Sequence, residues 1–149
     1  MDLKFLRAVL AESNGRGELR VPPRPPFGVR NEFVLYFGHG QIRGGHAHRR
    51  ASQLIWPVLG SFLLIAEYKG AECFERHQVA CVPDYAVLVE PMTWVTVCRA
   101  NGPCVCVVWS SEPHDPAEYV TSRDEFAGLA GRAPAVVRQS GDFVWLSDG

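Results

Sequence analysis

The sequence predicts an all-β sandwich or barrel, and three observations carry that expectation. Between Phe33 and about Trp109, short runs of valine, leucine, isoleucine, phenylalanine and tyrosine recur. Glycine, proline or charged clusters punctuate them every eight to twelve residues, the spacing of strands joined by turns. The chain has 149 residues, 47% of them apolar and 21% charged, which is enough apolar surface for one compact domain and too little chain for a second. We therefore expect a single domain over residues 1–149, with a core at about 11–129 and an extension over 130–149.

Taken in order, the N-terminal Leu3, Phe5, Leu6 and Leu10 fit either a strand or one face of a short helix. Val21 to Phe27 holds four prolines in seven residues, which cannot donate the bonds of a central ladder, so it reads as an extended connector. The expected strands are Glu32 to Phe37, His46 to Arg50, Gln53 to Glu67 broken by a turn at Gly60, Glu72 to Gln78, Ala86 to Val89, Thr93 to Arg99 and Cys104 to Trp109. Asp115 to Leu129 has an acidic start and spaced apolar residues, the pattern of one or two short helices. In the extension, only Phe143-Val144-Trp145-Leu146 looks able to dock on the core.

Composition excludes several functions. The formal net charge is −1 and the arginines are dispersed, so there is no basic stripe for a nucleic-acid backbone. No apolar run approaches the roughly twenty residues of a membrane-spanning helix. The start, Met1-Asp2-Leu3-Lys4-Phe5, is too charged for a secretory signal, so a cytoplasmic location is expected. The five cysteines lie mostly in strand-like stretches without Cys-x-x-Cys spacing and read as buried, reduced thiols.

The chemistry concentrates at Arg43-Gly44-Gly45-His46-Ala47-His48. In an extended strand, residues i and i+2 share a face, so the two imidazoles project side by side. Four residues separate His48 from Gln53, and six more separate Gln53 from Gly60. That is the spacing of the first cupin motif, His-x-His followed by an acidic residue and a turn glycine, with glutamine in place of the acid. A neutral amide is a weak donor for a divalent metal. No further histidine stands between Pro83 and Trp94, where the second motif normally supplies one. No metal and no cofactor are therefore expected. Burial and mutual repulsion push the pKa of two adjacent imidazoles down, which leaves at least one neutral and able to take a proton. Two histidines on one face, behind a glycine pair that lets a ligand approach, favour this function over an ordinary polar strand.

These residues, with Gly60-Ser61-Phe62, Pro91-Met92-Thr93-Trp94 and the ending Glu118-Tyr119 to Asp124-Glu125-Phe126, resemble the nucleotide-sugar 3,4-ketoisomerases. Those are cupin enzymes that act on dTDP-4-keto-6-deoxyglucose. Gly15-Arg16-Gly17-Glu18-Leu19, Pro26-Phe27 and Phe33 to Tyr36 extend the resemblance over about residues 11 to 129. It implies a cupin-type double-stranded β-helix, or jelly roll, with short C-terminal helices, and a homodimer. The implied reaction is a tautomerisation in which a proton leaves C3 of the sugar, an enediol forms and a proton returns at C4. His48 matches the base and His46 its partner, which moves protons between the sugar oxygens. Tyr36 matches a phenol that hydrogen-bonds the enediol, and Arg43 a guanidinium for phosphate or a sugar oxygen. Arg16 is a further anion contact, while Gln53 and Trp94 complete the expected substrate site. The chain departs from the family at Val95, where a histidine or arginine usually faces the sugar. Two other readings of the same scaffold are a different sugar-nucleotide isomerase or epimerase, and a non-catalytic carbohydrate-binding cupin.

Overall fold

A computed structural model describes residues 3–69, 74–129 and 137–139 of the chain. Two sheets face each other. The first is five-stranded, in the order β1 (Lys4–Arg7), β9 (Tyr85–Val89), β6 (Gln53–Leu59), β11 (Cys104–Ser110) and β4 (Asn31–Phe37). The second is six-stranded, in the order β12 (Tyr119–Val120), β5 (Arg43–His48), β10 (Trp94–Cys98), β7 (Phe62–Lys69), β8 (Phe74–Cys81) and β13 (Val137–Gln139). A separate hairpin joins β2 (Val9–Asn14) to β3 (Gly17–Val21). Neighbours pair antiparallel except β13 with β8. This is the expected jelly roll, and the C-terminal helices follow it as a 3-10 turn over Pro116–Glu118 and α1 (Arg123–Leu129).

The core lies between the sheets and is built by alternation. Along β11, Cys104, Cys106, Val108 and Ser110 are buried while Val105, Val107 and Trp109 are partly exposed. Their inward faces meet Leu64 and Ala66 of β7, Val79 of β8 and Val95 and Val97 of β10. A second cluster backs the first sheet on its outer side, where Trp56 stacks on Trp109 at 6.4 Å and Leu6, Phe27, Leu54 and Leu88 pack beside them. That cover explains why every residue of β9 is buried.

Several expectations need correction. Of the two readings of the N-terminal residues, strand is the one observed: Leu3 and Phe5 pack partly buried against the main core, Leu6 packs partly buried against the outer cluster, and Lys4 and Arg7 are exposed. The histidine strand runs Arg43–His48, and Arg49 and Arg50 lie in the bend beyond it. Gly44 sits in that strand at φ +84°, where an added Cβ would lie 2.5 Å from the Val95 carbonyl oxygen, so only glycine lets β5 close on the bulge between Val95 and Thr96. Gly60 turns β6 into β7 at φ +84°, as expected. Pro57 interrupts β6 without breaking it, because the register of β11 shifts between Val105 and Cys106, opposite the missing N–H. Phe143 to Leu146 lie outside the described residues. No helix among the described residues is long and apolar enough to cross a membrane.

Candidate active site

One end of the sandwich opens into a cavity of about 240 Å³ between the sheets. Phe33, Leu35, Ile55, Val89, Val95, Val97 and Val108 form its apolar wall, and Arg43, His46, His48, Gln53 and Tyr119 are its polar members. The volume is near the lower edge of small-ligand sites, roughly 300–1,000 Å³, so the reacting part of a ligand fits inside and a larger ligand extends out of the mouth.

The two histidines meet here because β5 runs extended from His46 to His48, after Gly44 and Gly45 at positive φ. Their rings lie 5.0 Å apart, edge to face. The backbone of His48 is held from two sides: its carbonyl accepts the N–H of Met92 at 2.7 Å, and the next N–H, of Arg49, donates to the Glu118 carbonyl at 2.9 Å. His48 is 8% exposed, and neither ring nitrogen has a hydrogen-bond partner. Burial in the apolar wall, then repulsion from His46, push its pKa down from 6.5 to about 4, against a smaller opposing pull from Glu118. Burial also lowers the pKa of His46, against a hydrogen bond with the Gly44 backbone. His48 is therefore neutral at pH 7, and it lines an apolar cavity with neither ring nitrogen paired. A buried polar atom left without a partner is costly, by about 1–3 kcal/mol, and this one sits where a ligand can relieve it.

The structure brings together His46, His48, Gln53 and Arg43 and leaves three expected residues elsewhere. Tyr36 is 74% exposed on the outer face of β4, because alternation sends Phe33 and Leu35 inward. Trp94 points away from the cavity for the same reason: Val95 faces in, and Trp94 packs 5.6 Å from Phe126 of α1, beneath the Arg123 guanidinium. Arg16 lies at the tip of the β2–β3 hairpin, in a shallow groove with Glu12, Asn14 and Glu18. The residue that sequence reasoning left out of the site is Tyr119. It sits opposite His48 in the β12–β5 pair, with its ring 4.6 Å from His48 and 5.0 Å from His46. No spacing rule links positions so far apart in the chain; only its place in the Glu118-Tyr119 ending was visible.

Two imidazoles and one neutral amide do not make a divalent-cation site, and no group of three or more His, Cys, Asp or Glu side chains converges among the described residues. The buried thiols are held protonated: burial raises the Cys81 pKa and pushes that of Cys106 up to about 12.

Residues 2–131 match the family model FdtA, WxcM-like C-terminal. The chain belongs to the FdtA (WxcM-like C-terminal) family. No curated protein matches its sequence. Solved structures share the fold of this FdtA-family chain. A 3,4-ketoisomerase from Helicobacter canadensis superposes with a TM-score of 0.74 at 20% identity, over 87% of this chain and 98% of its own. QdtA, a sugar 3,4-ketoisomerase from Thermoanaerobacterium thermosaccharolyticum in complex with TDP, gives 0.73 at 19% identity, over 86% and 93%. WlaRA, a TDP-fucose-3,4-ketoisomerase from Campylobacter jejuni, gives 0.72 at 20% identity, over 88% and 97%.

Proposed function

We propose that this FdtA-family chain is a cytoplasmic 3,4-ketoisomerase of a dTDP-linked 4-keto-6-deoxyhexose, which moves the ketone from C4 to C3 without a metal or redox cofactor. The observation that carries the reading is His48, buried, neutral and without a partner for either nitrogen at the cavity wall. The activities named for QdtA and WlaRA support it, as does membership of the family.

A proton α to a carbonyl is acidified, and its removal needs a positioned base and a donor for the oxygen that becomes negative. His48 takes the C3 proton and returns it at C4 of the enediol. His46 lowers the basicity of His48 by its proximity and hydrogen-bonds the sugar. Gln53 offers its amide to a sugar hydroxyl. Arg43, at the rim, meets the phosphates of a ligand whose nucleotide lies outside the cavity. The apolar wall keeps water from the enediol and accommodates the C6 methyl of a deoxysugar. The chain acts as a homodimer in this reading, and Arg16 would reach a substrate only across that dimer.

The test is product formation from dTDP-4-keto-6-deoxyglucose, followed by proton NMR with chelator present. The wild type forms a 3-keto product, and His48→Asn loses at least about 100-fold in rate, the contribution of one acid–base group. Binding of the nucleotide sugar without conversion by the wild type would replace the enzyme with a binding protein.

A further inference from the structure

The ketoisomerase reading has a second chemical need, which the resemblance gives to His46. Moving a ketone from C4 to C3 requires more than a carbon base: O4 must gain a proton and O3 must lose one. Of the polar residues lining the cavity, the Gln53 amide is not an acid, and His46 has a pKa lowered by burial, which disfavours the charged form that would give O4 a proton most readily. The position the resemblance gives to a phenol, Tyr36, is on the outside of the sandwich. Tyr119 is the only described residue of the lining that carries a hydroxyl.

Its placement is determined by structure on both sides. Tyr119 stands opposite His48 in the β12–β5 register, and directly paired residues of an antiparallel ladder share a face with their Cβ atoms about 4.5–5.5 Å apart. The rings of His46, His48 and Tyr119 make a triangle with centroid separations of 5.0, 5.0 and 4.6 Å. Behind it, the neighbouring Glu118 points the other way and is 3% exposed. Its carboxylate accepts the backbone N–H of Arg50 and, at 2.7 Å, that of Ala51, and also the Arg50 side-chain Nε–H at 3.2 Å. The two-residue strand is thereby fixed to the end of β5, and Tyr119 is held over the histidines.

Resting on the ketoisomerase reading, we infer that Tyr119 is a catalytic residue, the acid that relays a proton between the two sugar oxygens. As His48 takes the proton from C3, the C3–H bond electrons form the C3–C4 double bond, and the Tyr119 hydroxyl gives its proton to O4. The O3 hydroxyl then returns a proton to Tyr119, its electrons form the C3 ketone, and C4 takes the proton held on His48. Both side chains end as they began, and nothing is oxidised or reduced overall. Burial and the adjacent Glu118 raise the Tyr119 pKa, so the hydroxyl is protonated at the start of each cycle.

The experiment compares wild type, Tyr119→Phe and Tyr36→Phe in deuterated water with dTDP-4-keto-6-deoxyglucose, measuring kcat, KM and the ratio of C3 deuterium exchange to product. Tyr119→Phe is expected to lose about 100-fold or more in kcat with KM within about threefold of wild type. Its exchange-to-product ratio should rise, because His48 still works the C3 proton while the oxygen relay is broken. Unchanged kcat and ratio in Tyr119→Phe, or an effect confined to KM, overturns the assignment, as does loss of kcat in Tyr36→Phe alone. Binding of TDP by Tyr119→Phe verifies its fold, and Tyr119→Leu repeats the comparison if the phenylalanine variant does not bind. A wild type that neither exchanges nor converts the substrate removes the ketoisomerase reading itself, and this assignment with it.

Discussion

His48 couples the candidate chemistry to the stability of the protein. Its pKa falls from 6.5 in the unfolded chain to about 4 in the fold, so between those values the unfolded state binds more protons and stability falls as the pH falls. The stabilising difference is fully present above pH 6.5 and is lost on acidification towards pH 4; at about 1.4 kcal/mol per pH unit it amounts to some 3 kcal/mol. Urea unfolding of wild type and His48→Asn between pH 4 and 7 should show this slope in the wild type and a clearly shallower one in the variant. Equal slopes would mean that His48 is not the acid-sensitive group. The histidine pair and Gln53 were legible in the sequence because strand period and motif spacing act over a few residues, whereas Arg43 came with the resemblance. Tyr36 and Trp94 came from the resemblance, and alternation spoke against them: the exposed Glu32 and the half-buried Thr96 have the same parity on their strands and mark those faces as outer.

Two short segments set the site geometry at the level of elements, and each gives a prediction. Gly44→Ala must relieve a contact of 2.5 Å with the Val95 carbonyl at a φ that disfavours any side chain. It should cost about 1–3 kcal/mol and lower activity together with stability, since β5 and β10 both line the cavity; calorimetry and the conversion assay measure the two effects. Glu118→Ala leaves the Arg50 and Ala51 N–H groups without their acceptor, of which the latter is buried. It should cost about 2–3 kcal/mol by denaturant unfolding and reduce kcat more than KM, because β12 carries Tyr119. The long apolar strands β6, β7, β9, β10 and β11 were legible to within a few residues, and so was the turn at Gly60. β12 was not, because two residues have no periodicity, and its place is set by a carboxylate cap instead of a pattern. The β2–β3 hairpin was hidden for a different reason: its flanks, Ala11-Glu12-Ser13-Asn14 and Gly17-Glu18-Leu19-Arg20, show no apolar alternation, and only the Gly15-Arg16-Gly17 turn betrayed it.

At the scale of the molecule, that hairpin exposes Val9, Leu10, Leu19 and Val21, and a two-stranded hairpin is marginal in water by itself. The homodimer reading predicts that sedimentation equilibrium gives the mass of two chains; a monomer at micromolar concentration would remove it and leave Arg16 remote from any site. The all-β sandwich was legible as a whole because alternating runs and turn spacing are properties of the entire chain, and the jelly-roll form of it came with the resemblance. The cavity was not, because it arises where two sheets splay apart and Val89, Val95, Val97 and Val108 read simply as core. An apolar cavity with a neutral base at its wall is suited to proton transfer, and that is the central claim. Its most direct test is the fate of deuterium placed at C3 of dTDP-4-keto-6-deoxyglucose. The account predicts a primary isotope effect on conversion and label that reappears at C4, carried there by His48, with conversion lost in His48→Asn. Conversion by His48→Asn at the wild-type rate, with the label still moving from C3 to C4, would contradict it, since another group would then carry the hydrogen.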